Sequence, residues 1–179
     1  DKLTAPSTYN PEDFFRTGAN YTTTFGISGG SENNTFYVSG SRQDAEGIIP
    51  NNTFNRYNFT ASNSASLFNN KVALDLSFNY IRQNDQNMTT QGLYFNPIVP
   101  IYLMPTTTDI GKYKIYERYN PERNFETQYW DYGDLGMALQ NPYWTANRNI
   151  FTNKVNRYII TGALKVNIAN GINITGRLN

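Results

Sequence analysis

The side chains of this chain best suited to acid–base catalysis are carboxylates. The sequence contains no histidine and no cysteine, so the commonest general base and every thiolate nucleophile are missing. Glu122 and Glu126 would share one face of a helix, and Asp131 lies close to Asp134 in sequence. Paired carboxylates can hydrolyse glycosides, but spacing along a chain does not set their separation in space. We interpret these residues as solvated loop charges and predict that the chain is not an enzyme and needs no cofactor.

Two short acidic segments could offer oxygen ligands to calcium. They are residues 44–47 (Asp-Ala-Glu-Gly) and residues 131–134 (Asp-Tyr-Gly-Asp). Calcium takes about six to eight oxygens, and neither segment has the full spacing of a calcium-binding loop. We therefore predict no metal site.

Flat aromatic rings offer a different chemistry in the tract from residue 83 to residue 154. Regular alternation is lost there, and the tract holds both tryptophans and five prolines. A connection this long usually has a functional role. Its rings could stack on a sugar, pack on a partner protein or fill a core of the loop itself, and the sequence leaves these alternatives open. Our candidates for substrate or partner contact are Tyr94, Tyr102, Tyr129, Trp130, Tyr132, Tyr143 and Trp144.

Strands with alternating apolar and polar side chains must position these residues. A period of two with one apolar side is typical of strands that are wet on one side only. Asn63 falls on the apolar side of the third strand, and the pattern does not explain it. The predicted strands cover residues 19–28, 35–42, 54–67, 72–81 and 155–168, and a sixth begins at residue 172.

Short turns and long connections alternate between these strands. The turns after the first, third and fifth strands are short, and the connections after the second and fourth are long. This arrangement is typical of outer-membrane barrels, whereas sandwich strands usually span about five or six residues. We predict an all-β protein, an antiparallel transmembrane β-barrel segment of about six strands, with one long extracellular loop at residues 83–154.

The two sides of the strands carry different candidate residues. Tyr57, Tyr80 and Tyr158 lie on the apolar side, each at the strand end next to a long connection. Aromatic girdles of membrane barrels occupy such positions, so we predict that these three rings lie at the membrane interface. The residues predicted to face the lumen, on the polar side, are Asp75, Arg157, Lys165 and Arg177.

Composition agrees with a membrane barrel. Aromatic residues make up 15% of the chain and charged residues only 16%, against about 25% charged residues in an average soluble domain. The net charge of +1 gives no reason to expect a nucleic-acid partner. Alternation is still running at Asn179, so we expect the chain to be a fragment of a longer protein.

Six short runs of residues resemble one known family. They are FFRTG at 14–18, SGGSE at 28–32, EGIIPNN at 46–52, FNRYN at 54–58, NPYW at 141–144 and NRY at 156–158. Together they resemble the SusC/RagA-type TonB-dependent transporters of the Bacteroidota outer membrane. The matches follow the family's order and span nearly the whole chain.

The resemblance implies a barrel of roughly 22 strands with a plugged lumen. Residues 1–18 would then lead from the absent plug, 19–82 would form four barrel strands, 83–154 the extracellular loop and 155–179 two further strands. The family imports oligosaccharides or peptides across the outer membrane. A SusD-like surface lipoprotein is the implied partner, and TonB would act through the absent N-terminal region.

Two other functions remain open. A soluble β-rich module or adhesin repeat could use the same aromatic residues to bind glycans. A TonB-dependent siderophore receptor would share the barrel. The runs at 47–50 (Gly-Ile-Ile-Pro) and 141–144 favour the SusC branch over the siderophore receptors.

Overall fold

The computed structural model describes residues 10–88, 92, 95–105, 107–132 and 139–179. Strand residues make up 56% of this part, mostly in antiparallel sheet, so the all-β prediction is confirmed. Within the described ranges, no helix has the length and apolar character needed to span a bilayer. The chain divides into two compact units, which are described in turn.

Eight strands are found among the described residues. They are β1 (Ala19–Ser31), β2 (Asn34–Glu46), β3 (Thr53–Leu67), β4 (Val72–Gln86), β5 (Glu117–Asn120), β6 (Phe125–Gln128), β7 (Thr152–Ala169) and β8 (Ile172–Leu178). The first unit, here called the sheet unit, comprises residues 20–44, 55–84 and 153–179. Its strands lie in the order β1-β2-β3-β4-β7-β8. Chain neighbours are therefore sheet neighbours, except that β7 follows β4 directly.

The strands extend further than the sequence pattern predicts. β2 continues past the predicted end at 42 to Glu46, and β4 continues past 81 to Gln86. β1 reaches Ser31, so the turn that follows is shorter than the predicted segment 29–33. The apolar–polar alternation stops before the strand does, because backbone pairing continues where the side chains no longer alternate.

The predicted short turns at 68–71 and 169–171 are present. Phe68, Asn69 and Asn70 have φ values of 54°, 50° and 65°, and the Lys71 amide donates to the Phe68 carbonyl. Gly171, between β7 and β8, has a φ of 84°. Asparagine and glycine are the residues that tolerate this left-handed region best, which is why they mark these turns.

Asn63, the polar residue on the apolar side of β3, is satisfied by β2. Its amide nitrogen donates to the Asn34 side-chain oxygen at 2.7 Å and to the Thr35 carbonyl at 3.1 Å. Both acceptors belong to the start of β2, next to the β1–β2 turn. A buried or half-buried amide is tolerated when its donors are paired, and this pairing explains the break in the pattern.

The second unit, here called the connection unit, consists of the segment before β1, the connection between β2 and β3, and the connection between β4 and β7. It comprises the described part of residues 1–19 together with Ala45–Phe54 and Asp85–Thr152. It contains the 3-10 turns Pro11–Phe14 and Ile110–Lys114, the helices α1 (Ile98–Leu103) and α2 (Pro142–Arg148), and the β5–β6 hairpin. The described residues of the tract 83–154 thus form regular elements, although the sequence of this tract shows no regular alternation.

The connection unit has its own apolar core. The Phe14 ring contacts the rings of Phe15 and Tyr143 edge to face, at centroid distances of 5.4 and 5.0 Å. Its buried members come from all three segments of the unit: Phe14, Ile49, Ile101, Met104, Ile110, Tyr113 and Tyr143. A long connection can be ordered only if it buries such side chains, since ordering the backbone costs about 1–2 kcal/mol per residue.

Asn141 ties this core together at the start of α2. Its side-chain oxygen accepts from the Tyr143 amide at 2.8 Å, the bond of a helix N-cap, and Pro142 occupies the first helical turn. Its side-chain nitrogen donates to the carbonyls of Tyr113 at 3.0 Å and Tyr129 at 2.8 Å. One fully buried amide therefore joins three parts of the unit.

Candidate functional site

The apolar side of the sheet unit is exposed. Phe25 is 69% exposed, Leu76 47% and Ile160 64%. No buried hydrophobic residue of the described part belongs to this unit. Large apolar side chains exposed on this side are Tyr21, Phe25, Ile27, Phe36, Val38, Tyr57, Phe59, Leu67, Leu76, Tyr158, Ile160, Leu164, Ile168, Ile172, Ile174 and Leu178. We call this side of the sheet the apolar face.

The three predicted interface tyrosines all lie on the apolar face. The rings of Tyr80 and Tyr158 stack at a centroid distance of 4.8 Å and an interplanar angle of 25°. The Tyr80 hydroxyl donates to the side-chain oxygen of Asn156 at 3.0 Å. Tyr57 lies on the neighbouring strand β3, with the Arg42 guanidinium 5.6 Å from its ring centroid. Each ring thus has an apolar body and a polar neighbour.

Beyond the tyrosines, the apolar face carries charged and amide side chains. Arg42 forms an ion pair with Asp44 at 2.6 Å, and the Asn55 amide nitrogen donates to Asp44 at 2.6 Å. Arg82 and Lys154 follow on β4 and β7. The sequence pattern does not mark this polar border, because the alternation follows apolar residues only. The spacing of two between Arg42 and Asp44 was the available signal.

The polar side of the sheet carries the four residues predicted to face a lumen. Asp75, Arg157, Lys165 and Arg177 are exposed, and none forms an ion pair with another described residue. In the β7–β8 pairing, Arg177 lies opposite Ala163 and Lys165 opposite Thr175. The structure therefore places these residues on one side of the sheet, with Lys165 and Arg177 diagonally opposite each other on β7 and β8.

Part of the polar side has buried polar atoms. The Asn79 amide nitrogen donates to the Thr60 hydroxyl at 2.8 Å. Arg56 Nε, Asn58 Oδ1 and Asn79 Oδ1 are buried and have no hydrogen-bond partner in the described part of the chain. Burying a polar atom without a hydrogen-bond partner lowers the stability of the fold.

The aromatic candidates of the connection unit mostly pack on its core. Tyr143 is 8% exposed, and Trp144 is half-buried in the same helix. Tyr102 is different, because 62% of it is exposed. Tyr94 lies outside the described residues. The half-buried rings packed against the core include Tyr129, Trp130 and Tyr132.

Tyr113 is the centre of this aromatic cluster, although it is not among the residues predicted to contact a substrate or partner. Its ring lies 4.8 Å from Trp130, 5.7 Å from Tyr129 and 5.9 Å from Tyr132, measured between centroids. Its hydroxyl donates to Asp131 Oδ2 at 3.0 Å. Burial raises the pKa of Tyr113, and its hydrogen-bonded neighbours raise it further. A neutral tyrosine is thereby held in the core.

Asp131 belongs to a structural ion pair. Lys112 Nζ donates to Asp131 Oδ2 at 2.6 Å, beside the Tyr113 hydroxyl. The hydrogen bond from Lys112 lowers the pKa of Asp131, and the hydrogen bond from Tyr113 adds to this. A carboxylate held ionised by two donors is a poor general acid.

The other acidic candidates lie outside the helices or outside the described residues. The prediction that Glu122 and Glu126 would share a face if helical does not apply, because Glu126 lies in β6 and Glu122 in the turn before it. A strand and a turn do not repeat every 3.6 residues, so the spacing of four does not place the two carboxylates on a common helical face. Asp134 lies outside the described residues.

The calcium ligands considered at residues 44–47 are engaged elsewhere. Asp44 pairs with Arg42, and Glu46 pairs with Arg16 at 3.4 Å. In the part of the chain that the structure describes, no group of three or more acidic, histidine or cysteine side chains could hold a metal ion.

A comparison with models of known protein families finds no match to this sequence, and a comparison with curated proteins finds none either.

Proposed function

We propose that this chain forms part of the barrel of an outer-membrane transporter of the SusC/RagA type. The observation that carries the proposal is the exposed apolar face of the sheet unit. In water, a continuous face of this kind would be an unusual liability, because large apolar patches on soluble proteins normally mark interfaces. In a bilayer, the same face would lie against lipid tails.

The dimensions of the apolar face support this assignment. Its apolar stretch runs from Tyr57 to Leu67 on β3, from Val72 to Tyr80 on β4 and from Tyr158 to Ile168 on β7, which is eleven, nine and eleven residues. A tilted strand needs about 9–11 residues to cross a bilayer. The stacked tyrosines and the polar border then lie where lipid head groups would be.

The polar side of the sheet is proposed to line the lumen. Asp75, Arg157, Lys165 and Arg177 would face water or the plug implied by the family resemblance. The unpartnered atoms of Arg56, Asn58 and Asn79 lie on strands of the same sheet. Polar groups on one side and apolar groups on the other are the pattern of a transmembrane barrel strand.

The transported substrates are proposed to be oligosaccharides or peptides, with a SusD-like lipoprotein as the extracellular partner and TonB as the energy source. Of the described aromatic candidates, Tyr102 has the most exposed ring for such a contact. Tyr102→Ala in the full-length protein is expected to weaken co-purification of the lipoprotein, whereas Tyr102→Phe keeps the flat face and is expected to preserve it. Equal co-purification of both variants would remove Tyr102 from the interface.

The barrel assignment is tested by electrophoresis of the source protein from an outer-membrane fraction, with and without heating. We expect a band that shifts on heating and whose mass is several times 20.4 kDa, the mass of this chain. A single band of about this mass in the soluble fraction would contradict the proposal and favour a soluble glycan-binding module.

A further inference from the structure

We propose that the border of the apolar face is a binding site for a lipid with an anionic phosphate head group, held by Arg82 and Lys154. An acyl chain of this lipid would lie in the open grooves of the apolar face. The inference rests on the proposed function, because it requires this face to lie in a bilayer.

Arg82 and Lys154 lie together at one end of the sheet. Arg82 is two residues beyond Tyr80 on β4, so both side chains project from the apolar face. Lys154 is two residues from Asn156 on β7, and Asn156 accepts the hydrogen bond of the Tyr80 hydroxyl. Because β4 and β7 are neighbours in the sheet and neighbouring strands are about 4.8 Å apart, the two long side chains can reach one phosphate group.

These two cations are free to bind a ligand, unlike the third cation of the border. Arg42 is held by Asp44 at 2.6 Å. Arg82 and Lys154 are exposed, and neither forms an ion pair with another described residue. A guanidinium can donate two parallel hydrogen bonds to a phosphate, and an ammonium adds a mobile point charge. The pair therefore complements an anionic head group.

The apolar face provides space for a lipid tail beside Tyr80, and the ion-paired Arg42 also lines this space. An open groove runs beside Tyr80 and is lined on this face by Phe25, Tyr57 and Phe59. Its floor includes Gly40, where an added Cβ would meet no atom within 4 Å. The absent side chain leaves a trough between large rings.

A second groove follows on the same face. It is lined by Val38, Leu76, Phe78 and Ile160, with the small residue Ala61 between them. The rings of Phe59, in the first groove, and Phe78, in the second, lie 6.2 Å apart. The two grooves are thus adjacent and both are apolar, as an extended acyl chain requires.

The site predicts a preference for anionic over zwitterionic lipid. A lysine or arginine near an anionic membrane surface strengthens association about five-fold. The test uses full-length protein that contains this chain, reconstituted in bilayers with equal amounts of phosphatidylglycerol and phosphatidylcholine. Bound lipids are counted by native mass spectrometry after extraction in detergent. We expect phosphatidylglycerol to be retained preferentially.

Matched variants separate this site from general charge effects. R82Q/K154Q is expected to lose the preference, by about five-fold for each cation removed. K165Q/R177Q removes the same amount of charge from the polar side of the sheet. This variant is expected to keep the preference for phosphatidylglycerol. Raising salt from about 0.1 M to 1 M should weaken the preference of the unmodified protein, because the screening length falls from about 10 Å to 3 Å.

Each outcome has a defined meaning. The heat-shifted band is recorded for every variant, so that a failure to insert counts against the proposed function and is not mistaken for a loss of lipid binding. An inserted protein without lipid preference, or equal losses in both double variants, would overturn the lipid site and leave the barrel proposal standing. Binding of inorganic phosphate that is as strong as lipid binding and equally dependent on Arg82 and Lys154 would also overturn it.

Discussion

Isoleucines of the two units have opposite environments. Ile101 and Ile110 in the connection unit are fully buried, whereas Ile160 and Ile174 in the sheet unit are 64% and 61% exposed. The difference is not one of residue type. The connection unit surrounds its apolar side chains with other parts of the same unit, and the sheet unit leaves its apolar side chains without a covering layer among the described residues.

This comparison indicates two different sources of stability. In the connection unit, removal of apolar area from water contributes about 25 cal/mol per Å². The sheet unit gains little from this term by itself, so its strands depend on backbone pairing and on whatever covers the apolar face. The proposed bilayer supplies that cover. Substitutions in the two units should therefore have different consequences.

The largest effect is expected from opening a cavity in the core of the connection unit. Ile101→Ala removes a fully buried side chain and should lower the stability of this unit by about 2–5 kcal/mol. The matched control is Ile115→Ala, at a residue 65% exposed, for which a change within about 0.5 kcal/mol is expected. Hydrogen exchange of the connection unit measures both. Equal protection in the two variants would mean that this core is not the source of its order.

A charge on the apolar face tests the proposed bilayer. Leu76→Arg should destabilise a membrane barrel by about 2–4 kcal/mol near the bilayer midplane. Ser77→Arg places the same charge on the polar side and should have little effect. The fraction of heat-shifted protein after refolding in vesicles reports the difference. If Leu76→Arg folds as well as Ser77→Arg, the apolar face does not contact lipid.

Removing the buried amide of Asn141 should have an intermediate effect within the connection unit. Asn141→Ala loses the N-cap of α2, which is worth about 0.5–2 kcal/mol, and leaves the Tyr113 and Tyr129 carbonyls without this donor. Asn141→Asp keeps the capping oxygen but not the donor, so it should restore only part of the stability. The heat-shifted band of the barrel should remain in both variants. Limited proteolysis between α1 and α2 provides the measurement.

Two tyrosines of the same core should respond differently to loss of the hydroxyl. Tyr113→Phe loses the hydrogen bond to Asp131 and should cost about 0.5–1.5 kcal/mol. Tyr143→Phe should cost less, since the Tyr143 hydroxyl is buried and has no hydrogen-bond partner in the described part of the chain. Hydrogen exchange of the two variants under one condition makes the comparison. A larger loss for Tyr143→Phe would show that its hydroxyl is paired.

The raised pKa of Tyr143 predicts that the stability of the connection unit depends on pH. Burial raises the pKa of Tyr143 to about 12, with Asp13 and Asp109 adding to the rise. The unfolded tyrosine ionises near pH 10, so between pH 10 and about 12 the unfolded state binds fewer protons and stability falls as pH rises. Tyr143→Phe should lose less stability in this window. Protease sensitivity as a function of pH checks the slope, and identical curves for the two proteins would contradict the assignment.

The smallest effect is expected from the Lys112–Asp131 ion pair, because both side chains are about half exposed. Its hydrogen bonds lower the pKa of Asp131 and raise that of Lys112. Asp131 therefore contributes fully to folding stability above its ordinary pKa. This contribution is lost as the pH falls through the lower pKa of Asp131 in the folded state. Asp131→Asn should flatten the acid limb of the stability curve slightly. An unchanged acid limb would mean that the pair contributes nothing.

Local pattern was enough to predict most of the sheet. The alternation within residues 54–67 and 72–81 predicted β3 and β4 with one apolar side, because side-chain direction in a strand has a period of two. The same period placed Tyr57, Tyr80 and Tyr158 on that side. It could not give the full length of β2 or β4, since their last residues no longer alternate between apolar and polar side chains and only backbone pairing defines them.

The sequence by itself determined the all-β character, the turns and the side of the sheet on which each residue lies, because these depend on neighbours a few residues apart. Only the tertiary structure decided that Tyr143 is buried while Tyr102 is exposed, and that Asn63 pairs with β2. It also decided that Tyr113 organises a core drawn from three separated segments. Burial and pairing of this kind depend on residues distant in the chain, and no local period records them.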